Sequence, residues 1–219
     1  MLIGILGGTG PQGRGLARRF AAAGHHVILG SRSADRAHEV AQTLADAGQV
    51  TGASNVQAAS EAELAVVTVP YDGHQALLGS LRTELAGKIV VDCVNPLGFD
   101  KQGPYALPVP AGSAAQEARA ALPDSTVVAA FHHVSAVLLE DASIDHLDGD
   151  VLVLGEDREA VEVVCRLATA IPGARGIYAG RLRNAGQVEA MTANLIAINR
   201  RYKVHAGLTV TDLAVTDLP

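Results

Sequence analysis

The 219-residue chain has no tryptophan, only three phenylalanines and only two cysteines. A core so poor in aromatic rings must rely on close packing of Ala, Val and Leu, as buried parallel sheets under Ala-rich helices do. Cys93 and Cys165 lie far apart in apolar stretches, with no CxxC pair and no Cys/His cluster at zinc spacing. Neither a disulfide framework nor a metal site is expected, and both thiols read as buried and reduced. Charged residues make up 18% and the formal net charge is −6, which excludes the basic face of a general nucleic-acid grip. No apolar run reaches the roughly 20 residues of a membrane span, and no basic and apolar leader precedes the first strand. A cytoplasmic protein free of the membrane is the expectation.

Hydrophobic residues at 48% suffice for a sizeable core. Apolar strand-like runs alternate with helical ones from the first residue, the mark of an α/β protein. Strands are expected over residues 2–6, 26–29, 64–69, 88–94, 126–132, 151–154 and 176–179. Helices are expected over 12–23, from a cap at Ser33 or Asp35 to about 47, between Asn55 and Ser60, and over 73–85. Further helices fit 114–121, 158–170 and 182–204, the last with Val188, Met191, Leu195 and Ile198 at helical spacing. Residues 98–113 read as a proline-bearing loop. The architecture this predicts is a Rossmann-type doubly wound, mostly parallel sheet over residues 1–180. A small C-terminal helical appendage follows over 181–219.

The first turn carries Gly7-Gly8-Thr9-Gly10-Pro11-Gln12-Gly13. Glycines there allow a tight turn and let backbone approach a pyrophosphate, while the next helix directs its free N–H groups at that phosphate. A bare GxGxxG is weak evidence, but this one follows a strand, opens a helix and precedes a second strand, as dinucleotide binding requires. An NAD site places Asp or Glu at the end of that second strand, to hold the ribose 2′-hydroxyl. This chain has Gly30-Ser31-Arg32-Ser33, with Arg36 one helical turn on, which suits the 2′-phosphate of NADP(H). Val69 and Pro70 end the third strand, Tyr71, Asp72 and His74 follow it, and Asn95-Pro96-Leu97 follow the fourth. All lie at one sheet edge as candidates for nicotinamide-side contacts, a role that an ordinary loop would mimic.

His132-His133 end an apolar strand, and adjacent strand residues face opposite ways, so at most one of them is expected at a ligand; His133 is the candidate, with a hydrogen-bonded structural histidine as the alternative reading. No tyrosine has lysine four positions later, no helix before the last carries a lysine suited to acid–base work, and no GxSxG elbow occurs. Hydride transfer between two redox rings needs alignment and no strong protein acid or base, so no catalytic side chain is assigned.

The ordered set Ile3 to Gly13, Gly30-Ser31-Arg32, Val66 to Pro70, Val91 to Pro96, Ala129 to His133 and Arg183-Asn184-Ala185 with Glu189 to Asn199 resembles the NADPH-dependent reductases of coenzyme F420. The resemblance covers essentially the whole chain. It implies reversible hydride exchange between nicotinamide C4 and C5 of the deazaflavin ring, with NADP(H) and coenzyme F420 as small-molecule partners. It also implies that Thr9, Ser31, Arg32 and Arg36 hold the 2′-phosphate. His133, Ser135 and Val137 would line a deazaflavin pocket, with Leu97 of the Pro96 loop and with Met191 and Leu195 of the last helix. A homodimer built partly on the C-terminal segment is implied as well. Two other readings remain: a flavin- or ferric-reducing NADPH enzyme, and a non-catalytic NADP-binding redox sensor.

Overall fold

The strand Leu2–Leu6 (β1) is buried along most of its length, and its neighbours His26–Ser31 (β2) and Leu64–Val67 (β4) carry similar apolar runs. Residues buried on both faces belong in the middle of a parallel sheet covered by helices. A computed structural model, which describes residues 1–213, shows that arrangement. Six parallel strands run in the order β3 (Val50–Ser54), β2, β1, β4, β5 (Ile89–Asp92) and β8 (Thr126–Ala129). The sheet continues into β9 (Gly149–Gly155), antiparallel to β8, and β10 (Ala174–Tyr178), parallel to β9. Two apolar layers, one on each face, form the core.

The helices are α1 (Pro11–Ala22), α2 (Ala34–Gln42), α3 (Asn55–Glu61), α4 (Tyr71–Ser80), α5 (Ala114–Ala121), α6 (Ala136–Glu140), α7 (Arg158–Thr169) and α8 (Ala185–Tyr202). Side-chain oxygens of Ser33, Ser54, Ser113 and Asp157 cap α2, α3, α5 and α7, each accepting a backbone N–H three residues on. Arg19 of α1, 7% exposed, donates to the carbonyls of Leu138, Leu139, Asp141 and Ile144 and so ties α1 to α6 and the loop beyond it. Among the described residues no helix is long and apolar enough to cross a membrane.

Several expectations are corrected. Val50–Ser54, read as connection, is the edge strand β3; its outward Thr51 and partly exposed ends leave no apolar run to read. The proline-bearing loop contains an antiparallel hairpin, β6 (Leu97–Asp100) and β7 (Gly103–Ala106). Its turn is closed by Asp100 Oδ1, which accepts from the N–H groups of Gln102 and Gly103. The strand expected to reach His132 stops at Ala129, because Phe131 takes φ +64° and turns the chain away. The last helix starts at Ala185 after a short 3-10 turn. Residues 214–219 of the C-terminal segment lie outside the described residues.

Turning away at Phe131 leaves the first half of β9 without a strand on its β8 side, and two other groups complete the ladder. The Asp150 N–H donates to the Leu208 carbonyl at 2.7 Å, and the Leu152 N–H donates to His133 Nε2 at 3.3 Å. Arg175, paired with Asp150, also holds the carbonyls of Val210 and Leu213, so the tail is pinned along β9.

His133 is 4% exposed, and burial, followed by the neighbouring His132 ring, lowers its pKa to about 4. A ring that is neutral when folded and protonated when unfolded favours the fold fully above pH 6.5, and this contribution falls away between pH 6.5 and about 4. His133→Gln keeps an acceptor for Leu152 at every pH. It should therefore lose about 2–3 kcal/mol less than the unaltered chain over that interval, as read by urea denaturation at each pH.

Candidate functional site

A crevice of about 970 Å³ opens at the carboxyl ends of β1, β2, β4, β5 and β8. Crevices at that edge of an open α/β sheet are where dinucleotides bind. The glycine turn forms its floor. Gly7 has φ +69°, and a Cβ on it would come within 2.3 Å of Val69 Cγ1. Its N–H donates to Asn55 Oδ1 at 3.0 Å. Around Gly10 no heavy atom lies within 4 Å of an added Cβ, so its outer side is open space. Gly8 and Gly13 are not in the crevice wall. They pack against each other, a Cβ on Gly13 meeting Gly8 Cα at 2.5 Å, and this contact brings α1 down onto the turn. Pro11 occupies the first position of α1, and Gln12 reaches across to donate to the Phe131 carbonyl at 3.1 Å.

Thr9, Gly10, Pro11 and Gln12 line the crevice with Ser31, Arg32, Ser33 and Arg36. The Ser31 hydroxyl accepts from the Ser33 N–H, and Ser33 caps α2, so the two hydroxyls shape the turn that presents both arginines. Arg32 and Arg36 are exposed, and neither is engaged in an ion pair among the described residues. Asn55 is a crevice residue that sequence reasoning missed. It is 7% exposed beneath Gly30, where a Cβ would meet its Oδ1 at 2.8 Å. An Asn placed just after a Ser cap could have drawn attention to it.

On the opposite wall, Val69, Pro70 and Asn95 line the crevice as expected positions, together with Thr68, Cys93, Val94 and His132. Tyr71 and His74 do not. The helical repeat places Gly73, Ala76, Leu77 and Ser80 of α4 on the crevice side and turns Tyr71, His74 and Leu78 inward. Tyr71 donates to Glu117 Oε1 at 3.4 Å. His74, fully buried, donates from Nε2 to Asp92 Oδ2 at 2.5 Å. Burial opposes charge on His74, but the Asp92 bond and the charges of Asp92, Glu117 and Glu189 outweigh it and raise its pKa. Pro96 is buried at the base of the hairpin, its carbonyl accepting from the Leu107 N–H.

None of the six positions expected at the deazaflavin lines the crevice. Leu97 pairs with Ala106 in the hairpin, Val137 is 55% exposed on α6, and Met191 and Leu195 pack along α8. Ser135 borders a small separate cavity with His133, Asp148, Gly149 and His205. His132, not His133, borders the crevice, because the break in the strand at Ala129 resets which neighbour faces which way. The His132 ring is 3% exposed, and burial lowers its pKa to about 4 against the pull of Asp92, so it is neutral near pH 7. Burial, and then Asp92, push the Cys93 thiol well up, so it stays protonated.

The C-terminal helix closes this end. Glu189 of α8, 2% exposed, accepts from the N–H groups of Ala114 and Ala115 at 2.9 and 3.1 Å, at the start of α5. Burial raises its pKa to about 7 against those two bonds. One turn on, Thr192 donates to the His132 carbonyl at 3.1 Å, and Asn95 Nδ2 donates to the same oxygen at 2.7 Å. The result is a long groove with open glycine backbone and paired arginines at one end, and a neutral, largely apolar wall at the other. Such a groove can bind a phosphorylated dinucleotide and exclude water from its far end.

Residues 2–96 match the family model described as NADP oxidoreductase, coenzyme F420-dependent. The F420-dependent NADP reductase of Methanothermobacter marburgensis is 39% identical over 223 residues, covering 97% of this chain and 99% of that protein. That of Methanocaldococcus jannaschii is 38% identical over 226 residues, covering 98% and 100%. A crystal structure from Arthrobacter sp. FB24, described as a candidate F420-dependent NADP reductase, superposes with a TM-score of 0.80 at 28% identity, covering 95% and 98%.

Proposed function

The chain belongs to the coenzyme F420-dependent NADP oxidoreductase family, and from that premise we propose how its crevice carries reversible hydride transfer between NADP(H) and F420. The observation that carries the reading is the continuous groove from Arg32 and Arg36 over the glycine turn to Asn95 and His132. In it the Gly7–Gln12 turn holds the pyrophosphate, and Ser31, Arg32 and Arg36 hold the 2′-phosphate. The nicotinamide lies toward Val69, Cys93 and Asn95. The two bound rings supply the hydride donor at nicotinamide C4 and the acceptor at deazaflavin C5. The protein's part is alignment and dryness: His132 stays neutral, Cys93 stays protonated, and α8 fixes the wall behind them. Residues 1–180 serve as the NADP-binding unit, and within the segment 181–219 it is α8 that backs the acceptor side. A cytoplasmic homodimer belongs to the same reading, supported by the exposed apolar side chains of Ile198, Tyr202 and Val204 on the C-terminal segment.

Anaerobic incubation of the purified protein with NADPH and F420 should bleach the deazaflavin's visible absorbance, much faster than with NADH, while free flavin as acceptor is turned over poorly. Tight NADPH binding with no F420 reduction would sink the reading.

A further inference from the structure

Most buried polar groups in the crevice wall are satisfied by the protein itself, and Asn95 is one of two exceptions. Its amide orientation is dictated by its neighbour. Nδ2 donates to the His132 carbonyl at 2.7 Å, and the reversed amide would set two oxygens at that separation. Oδ1 is thereby fixed as an acceptor, and it is buried with no hydrogen-bond partner among the described residues. The His132 ring, also at the wall, is the other exception, unpartnered at both nitrogens among the described residues. A buried acceptor left unpaired costs about 1–3 kcal/mol, so a donor brought by a ligand would recover that cost.

Which donor it is follows from position. With the pyrophosphate on the glycine turn and the 2′-phosphate at Ser31 to Arg36, the strand order β2-β1-β4-β5 carries the other half of the dinucleotide over β4 and β5. Asn95 follows β5 in that wall, beside Thr68, Val69 and Cys93. In that half of the molecule the donors are the ribose hydroxyls and the carboxamide on C3 of the nicotinamide, and the carboxamide is the one on the ring at the end of the groove where Asn95 lies. We propose that Asn95 Oδ1 accepts from this carboxamide N–H, making Asn95 a specificity-determining residue that fixes the rotation of the ring about its glycosidic bond. The inference rests on the NADP reading above and adds to it the group that is recognised.

The test uses NADP+ and its 3-acetylpyridine analogue, in which a methyl group replaces the carboxamide nitrogen. Affinities are measured by calorimetry on the unaltered chain, Asn95→Leu and Thr192→Val, with F420 kinetics alongside. The unaltered chain should prefer NADP+ by roughly tenfold, the worth of one good hydrogen bond. Asn95→Leu should bind the two about equally. Thr192→Val, which removes the other donor to the His132 carbonyl, should keep the preference. If Asn95→Leu is not folded by circular dichroism, the same ratio in Asn95→Ala decides. An unchanged preference in the Asn95 variant overturns the proposal. So does its equal loss in Thr192→Val, since the effect would then act through the His132 carbonyl. A raised KM for F420 with the preference intact assigns Asn95 to the acceptor and likewise overturns it. Binding is read without F420, so a chain that binds both dinucleotides but reduces no F420 fails the hydride-transfer reading alone. A chain that binds neither fails both.

Discussion

Arg32→Ala should raise KM for NADPH by roughly 10- to 150-fold and leave KM for NADH nearly unchanged, since a hydrogen bond to a charged group is worth about 1.5–3 kcal/mol. Arg32 is exposed at the crevice mouth, where it keeps its side chain for a ligand. Only NADPH carries the 2′-phosphate that a guanidinium would grip with two parallel bonds. Arg36, one helical turn along α2, supplies a second charge, so the single variant should weaken binding without abolishing it. Steady-state kinetics with both dinucleotides checks this. Equal losses for NADPH and NADH would remove Arg32 from the 2′-phosphate site.

Asp92→Ala should destabilise the fold by about 3–5 kcal/mol, lowering the melting temperature by on the order of 10 °C. Asp92 and His74 are both fully buried and paired, and Asp92 Oδ1 also accepts from the Val94 N–H at 3.1 Å. Removing the carboxylate strands the imidazole beside Glu117 and Glu189 and frees the loop that carries Asn95. The sign of the pH dependence follows from the raised pKa of His74. Its bond to Asp92 contributes fully below pH 6.5 and is lost as pH rises through the folded value. The deficit of Asp92→Ala should therefore be larger at pH 6 than at pH 9, and urea denaturation at both measures it. A deficit that does not vary with pH would mean that His74 is neutral in the fold.

The sequence was most legible where local pattern and tertiary role coincide. β1, the glycine turn, α1 and the Ser31-Arg32 end of β2 need only a short apolar run followed by glycines and a capped helix. β3 escaped because an edge strand with Thr51 and Gly52 has no apolar run to read. Gly52 is there because α2 lies on it, a Cβ reaching within 2.3 Å of Ala37 and His38 backbone. Which of His132 and His133 borders the crevice was not legible, because alternation holds only while a strand continues, and Phe131 breaks it with a left-handed conformation that costs about 1–3 kcal/mol. The inward turn of Tyr71 and His74 depended on the phase of α4. That phase is set by Asp92, 18 residues away in the chain, which no local pattern discloses.

One imidazole and one tail carbonyl stand in for the strand that β9 lacks on its β8 side. Sheet edges are normally blunted by charge, proline or a covering helix, because an open row of N–H groups is a template on which a second chain can add a strand. Here that row is covered by groups that can depart, His133 by substitution and the Leu208 segment by truncation. Trimming the chain ahead of Leu208 would therefore cost solubility before it cost activity, exposing a short adhesive edge beside the first half of β9.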